Sequence, residues 1–98
     1  MITYSMSDIA ILKYFGAQIK QMRLNKNISQ ARLGATAGLS RKAISDIELS
    51  GKCSMKSVVQ ILRALEKLEM LNIFETEVLV SPIQIAKLRG KYRNRASK

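Results

Sequence analysis

Leu12, Phe15, Ile19 and Met22 recur at intervals of three, four and three, the spacing that gathers side chains on one face of an α-helix. It predicts a first helix from about Ser7 to Asn25, with Ser7 or Asp8 as cap and Lys26-Asn27 as stop. Gly16 interrupts that helix and marks either a bend or a close approach to a neighbour. Leu33 and Ala37 then lie one turn apart, Ile44 and Ile47 three residues apart, with Leu39 in the joint between. Two short helices follow, one over 30–37 capped by Ser29, the other from Ser40 to about Ser50 with Ser40 as cap and Ser50-Gly51 as stop. Gly38 falls just past the first of them, where positive φ is common and only glycine escapes a Cβ penalty. Ser54 opens a fourth helix, along which Met55, Val58, Val59, Leu62 and Leu65 form a continuous apolar stripe.

The register over 30–48 is that of a helix-turn-helix. Gly34 costs about 1 kcal/mol against alanine inside a helix, so its presence implies a tertiary reason, namely the close crossing of the second short helix. Past the fourth helix, Leu68, Met70, Leu71, Ile73 and Phe74 crowd into seven residues. That is more apolar surface than so small a core absorbs. We assign Leu65, Leu68, Leu71, Ile73 and Phe74 to a subunit interface, and the partner to a second copy of the chain. Val78-Leu79-Val80 reads either as a strand pairing with its symmetry mate or as an extended connector. Ser81-Pro82 suits the start of a last helix with Ile83, Ile85 or Ala86, and Leu88 on its apolar side. The division is therefore a helix-turn-helix domain over 1–77, with the motif at 30–50, and a basic C-terminal extension over 78–98. The expected fold is all-α.

Charge separates these parts. Seventeen Lys and Arg against seven Asp and Glu give a net +10 over 98 residues, suited to a polyanionic partner. Residues 54–77 hold Lys56, Arg63 and Lys67 against Glu66, Glu69, Glu75 and Glu77, a net −1 that leaves +11 to the rest of the chain. The middle of the chain therefore faces something other than phosphate, while 78–98 carries six positive residues and no acid.

The same composition narrows the chemistry. No apolar run approaches membrane-spanning length and no secretory layout opens the chain, so the expectation is a cytoplasmic protein with no membrane partner. Without histidine, and with Cys53 as the single cysteine, it offers no metal set, no cofactor cradle and no nucleophile with a base. An enzyme is not expected. Cys53 reads as a small, partly buried hydrophobe.

A reading helix that enters the major groove N-terminus first sets Ser40, Arg41 and Lys42 nearest the base edges and Ser45 and Asp46 one turn deeper. Arg41 is the foremost specificity residue, because a guanidinium bonds guanine O6 and N7 together. Asp46 either accepts from cytosine N4 or pairs with Arg41 or Lys42. Gln30 starts its helix where backbone amides meet a phosphate and its own amide locks the contact; Lys52 is a phosphate clamp. Arg23 and Glu48 each follow an apolar core position, and we assign them to a structural ion pair between the first helix and the reading helix.

Gly-Ala-Gln-Ile-Lys-Gln-Met-Arg at 16–23, the motif at 30–48 and the Ser-Gly-Lys after it resemble the Cro and phage-repressor class, also called XRE-like. The resemblance covers about 60 residues. It implies a compact five-helix, lambda-repressor-like DNA-binding domain that binds double-stranded operators as a dimer. Gln30, Ser40, Arg41, Lys42, Ser45 and Asp46 match its DNA-contact positions, and Arg23 and Glu48 its interhelical salt bridge. The pattern around Leu65, Ser81-Pro82-Ile83-Gln84 and the ending Arg-Gly-Lys-Tyr-Arg-Asn-Arg-Ala-Ser also resemble HipB-type antitoxins, implying a HipA-like kinase toxin as partner. The functional expectation is a dimeric repressor, as an autoregulating antitoxin. The alternatives are a stand-alone phage or restriction-system regulator and a protein-interaction module without DNA binding.

Overall fold

A computed structural model describes residues 1–76. Four α-helices follow in order, α1 (Asp8–Asn25), α2 (Gln30–Ala37), α3 (Arg41–Ser50) and α4 (Met55–Ala64), and a 3-10 helix (Leu68–Phe74) completes an all-helical domain of five helices among the described residues. The expected strand at 78–80, the last helix after Pro82 and the basic ending lie outside the described residues.

Each α-helix starts on a serine. Ser7, Ser29, Ser40 and Ser54 hold extended backbone, and each Oγ accepts the N–H three residues on, from Ala10, Arg32, Ala43 and Ser57 at 3.0 to 3.1 Å. A hydroxyl there satisfies one of the first-turn amides that the helix itself leaves free. The stops are equally local. Gly38 and Gly51 take the left-handed conformation at φ 79° and 72° and return their N–H groups to the carbonyls of Gly34 and Ile47. Asn27 ends α1 in the same region (φ 57°) and Glu66 follows α4 in it (φ 59°).

The core is Ile19, Leu33, Ala37, Ile44, Ile47, Ile61 and Leu65, with Phe15, Met22, Ile28, Leu39, Cys53 and Ala64 packed around it. It draws one apolar face from each α-helix, and α3 is held between α1 and α2 while α2 also packs on α4. Two glycines permit this. A Cβ on Gly16 would run into the carbonyl oxygens of Ile47 and Glu48, so that glycine marks close approach of α1 to α3 and not a bend. On Gly34 it would stand 2.6 Å from the Leu39 carbonyl oxygen. Gly34 was expected under the crossing helix; it lies instead under the turn that launches it.

One interface assignment is corrected. Leu65 is fully buried and belongs to the core, because it sits four residues after Ile61 and extends the inward stripe of α4. The chain turns at Glu66, and surface exposure begins only beyond it. Leu68 and Leu71 are half-buried, while Ile73 and Phe74 are 79% and 68% exposed. Leu71, Ile73 and Phe74 border an apolar groove of about 440 Å³ between α1, α4 and the 3-10 helix, lined also by Ile2, Met55 and Met70. Among the described residues no helix is long and apolar enough to cross a membrane.

Candidate nucleic-acid interface

The helix α3 is divided lengthwise. Ile44, Ile47 and Glu48 face inward and are buried, so the helix cannot roll without opening the core. Arg41, Lys42, Asp46 and Leu49 are exposed and Ser45 is half-buried. Positions 41, 45 and 49, with 42 and 46 beside them, succeed one another every four residues along a single outward face. Ser40 is exposed at the tip, but its Oγ is occupied by the Ala43 amide at 3.0 Å. Its first duty is therefore to start the helix. The amides of Arg41 and Lys42 lie in the first turn, where a helix has no partner of its own for its N–H groups, and they carry the positive end of the helix dipole.

Asp46 makes no ion pair with Arg41 or Lys42; among the described residues the ion pairs are Arg23–Glu48 and Lys26–Glu66. Its carboxylate is exposed on the same helix face as Arg41 and Lys42. Ser50 Oγ donates to the Asp46 carbonyl at 2.8 Å and in turn accepts the Lys52 N–H at 3.2 Å. The loop carrying the exposed Lys52 is in this way fastened to the last turn of α3. Leu49 is the residue that pattern reading missed. It is 74% exposed, and its place four residues after Ser45 is the signal in the sequence that sets it on this face.

Behind the face lies a buried polar cluster. Arg23 Nε donates to Glu48 Oε2 at 2.6 Å and Nη2 to Oε1 at 3.1 Å, while Nη1 donates to the Ile28 carbonyl at 2.8 Å. Both residues are under a tenth exposed. The hydrogen bond to Glu48, reinforced by its charge, raises the Arg23 pKa further above its ordinary value despite burial, so the guanidinium stays charged. Gln30, half-buried at the first position of α2, donates Nε2 to the same Glu48 Oε1 at 3.0 Å. Gln30 is thereby tied to the ion pair as well as standing at a helix N-terminus. No buried side-chain nitrogen or oxygen among the described residues lacks a partner. Cys53 is half-buried in the apolar groove, and burial pushes its thiol pKa up.

Two short helices crossed through a glycine turn, the second anchored from behind and cationic in front, define a helix-turn-helix DNA-binding unit. The helix-turn-helix family model matches residues 19–69, and the chain belongs to that family, the XRE type, whose members are DNA-binding transcription regulators. The matched span runs from the middle of α1 into the 3-10 helix and covers just over half the chain. No curated protein gives a significant match.

Proposed function

We propose that this protein is a sequence-specific transcriptional repressor that binds an inverted-repeat operator as a homodimer. The observation that carries this reading is the outward face of α3. Arg41 and Lys42 stand exposed at its tip and Asp46 one turn on, while the buried back of the helix fixes which way they point. Arg41 reads guanine through both acceptors of its major-groove edge, Lys42 and Ser45 contact neighbouring base edges, and Asp46 accepts from cytosine. Ser40, Gln30 and Lys52 face phosphates and set the register.

The homodimer is supported by the groove at the 3-10 helix. A contiguous apolar surface bearing exposed Ile73 and Phe74 is what association covers, and it lies in the part of the sequence with almost no net charge. Like surfaces of two copies meet about a two-fold axis, and the two copies of α3 then address half-sites whose centres are about 34 to 36 Å apart. An antitoxin role would add a HipA-like kinase to this assembly; its support is the resemblance around Leu65, at 81–84 and at 89–97, and stoichiometric copurification with such a kinase tests it.

Selection of bound sequences from random duplex DNA, followed by footprinting, tests the core proposal. The expected result is a symmetric pair of half-sites one helical turn apart. Protection of a lone half-site, or complexes with protein only and insensitive to salt, would remove the dimeric repressor reading.

A further inference from the structure

Resting on the DNA reading above, we infer that Glu48 is a positioning residue for operator binding, acting through Gln30. A carboxylate only accepts hydrogen bonds, so Glu48 dictates which end of the Gln30 amide faces it. The nitrogen turns inward at 3.0 Å, and the amide oxygen and second N–H are left for groups outside. The carboxylate is itself immovable, held by two Arg23 nitrogens, and Arg23 also grips the Ile28 carbonyl in the loop leading to α2. One buried cluster thus binds α1, the α1–α2 loop, the first residue of α2 and the reading helix.

The N-terminal turn of α2 gives this tie its purpose. Ser29 occupies the Arg32 amide through Oγ and the Leu33 amide through its carbonyl, leaving the Gln30 and Ala31 amides, beside the oriented Gln30 side chain, to meet a phosphate. Because Gln30 and α3 are fastened through the same carboxylate, the phosphate anchor and the base-reading face keep one spacing. The second N–H of an amide held at a fixed angle makes a directional contact with a phosphate oxygen, which a freely turning amide does not. Glu48 touches no DNA in this account. It sets the register with which Arg41 reaches its base.

Single phosphates of the wild-type-selected operator are replaced one at a time by uncharged methylphosphonates, and affinity is measured for four chains. In the wild type, the phosphate facing the first turn of α2 in each half-site is expected to show a loss of about tenfold on replacement, and Gln30→Ala reduces that loss to the share the backbone amides of α2 sustain. Arg23→Met with Glu48→Met exchanges the ion pair for apolar packing, a swap that folds tolerate, and leaves Gln30 without its acceptor. That chain is expected to show the same reduced loss, and adding Gln30→Ala to it to cost less than about twofold.

Persistence of the full phosphate signature in the Met–Met chain, or a full Gln30→Ala loss in both backgrounds, overturns the inference while leaving the repressor reading intact. If the wild type selects no sequence at all, the reading of α3 fails and this inference with it. Should circular dichroism show the Met–Met chain unfolded, Glu48→Gln takes its place. Its amide oxygen still accepts from Arg23 while its nitrogen no longer accepts the Gln30 N–H, so the Gln30 side chain loses the tie that fixed its angle, and the same signature is expected to fade.

Discussion

The face formed by α2 and α3 and the groove between α1, α4 and the 3-10 helix are built from the same kind of element and expose opposite chemistry, one polar and cationic, the other apolar. On the first face Leu49 is the one large apolar side chain left exposed, and a buried charge cluster locks the two helices together. On the second, Ile73 and Phe74 stand in solvent around an apolar hollow, with no buried ion pair among the described residues holding the 3-10 helix to the rest. Directional contacts need a rigid mount, since a hydrogen bond to a base edge is lost within a few tenths of an ångström. Association through apolar area is not directional and tolerates a looser element. The difference in construction between the two regions therefore mirrors the precision each asks of its surface.

The largest expected effect strikes the mount. Arg23→Ala strands the Glu48 carboxylate in the core and is expected to lower unfolding free energy by about 3 to 5 kcal/mol, read by urea denaturation. Arg23 is held charged by Glu48, with a pKa raised from an already high value. On the arginine side its share of stability is therefore complete through neutral and mildly alkaline pH, and is lost only as pH rises through the raised folded-state value. The cost of Arg23→Ala should accordingly be the same at pH 7 and pH 9.

The groove should break differently. Replacing Ile73 and Phe74 together with aspartate is expected to leave the unfolding free energy of the monomer within about 0.5 kcal/mol, as for exposed positions. It should weaken self-association by at least tenfold for each side chain, at about 1.5 to 3 kcal/mol per buried large apolar residue. Sedimentation equilibrium reads the second quantity, and an unchanged dissociation constant would return the groove to mere exposed surface.

Smaller effects sharpen the boundary of the DNA face. Lys52→Ala is expected to weaken every duplex alike and to reduce the slope of log affinity against log salt by about 0.9, the value of one phosphate contact. Lys26→Ala removes an exposed pair with Glu66 and should have only a small effect on stability, because solvent screens such pairs. The hydrogen bond from Lys26 depresses the Glu66 pKa. Whatever that pair contributes is present above the ordinary glutamate range and fades as pH falls through the lowered value, so stability of the wild type and Lys26→Ala should converge in acid.

Much of this molecule could be read before any coordinates, because its local punctuation is explicit. Four serines and two glycines mark helix starts and stops where hydroxyls and left-handed backbone are needed, and the core positions of α1 to α4 follow from helical spacing. What escaped reading has particular causes. The chain leaves α4 through Leu65 and reverses at Glu66, a non-glycine residue with φ 59°, so no glycine marks the stop and the apolar stripe carries Leu65 into the expected interface. Gly16 offered two meanings that only the position of the Ile47 and Glu48 carbonyls separates. The Gln30 contact with Glu48 joins residues 18 apart in sequence on different helices, and a glutamine at a helix start is fully explained without it. Leu49 had the right spacing and the wrong chemistry for the face it occupies.

The claim that most else depends on is that the leading end of α3 touches bases. It is tested by measuring affinity of the wild type and Arg41→Ala for the selected operator and for every single base-pair change in one half-site, at two salt concentrations. The account predicts that Arg41→Ala loses about 1 to 3 kcal/mol of discrimination at one or two adjacent positions and keeps the rest of the preference profile. A profile that keeps its shape while affinity falls equally for every duplex would contradict it.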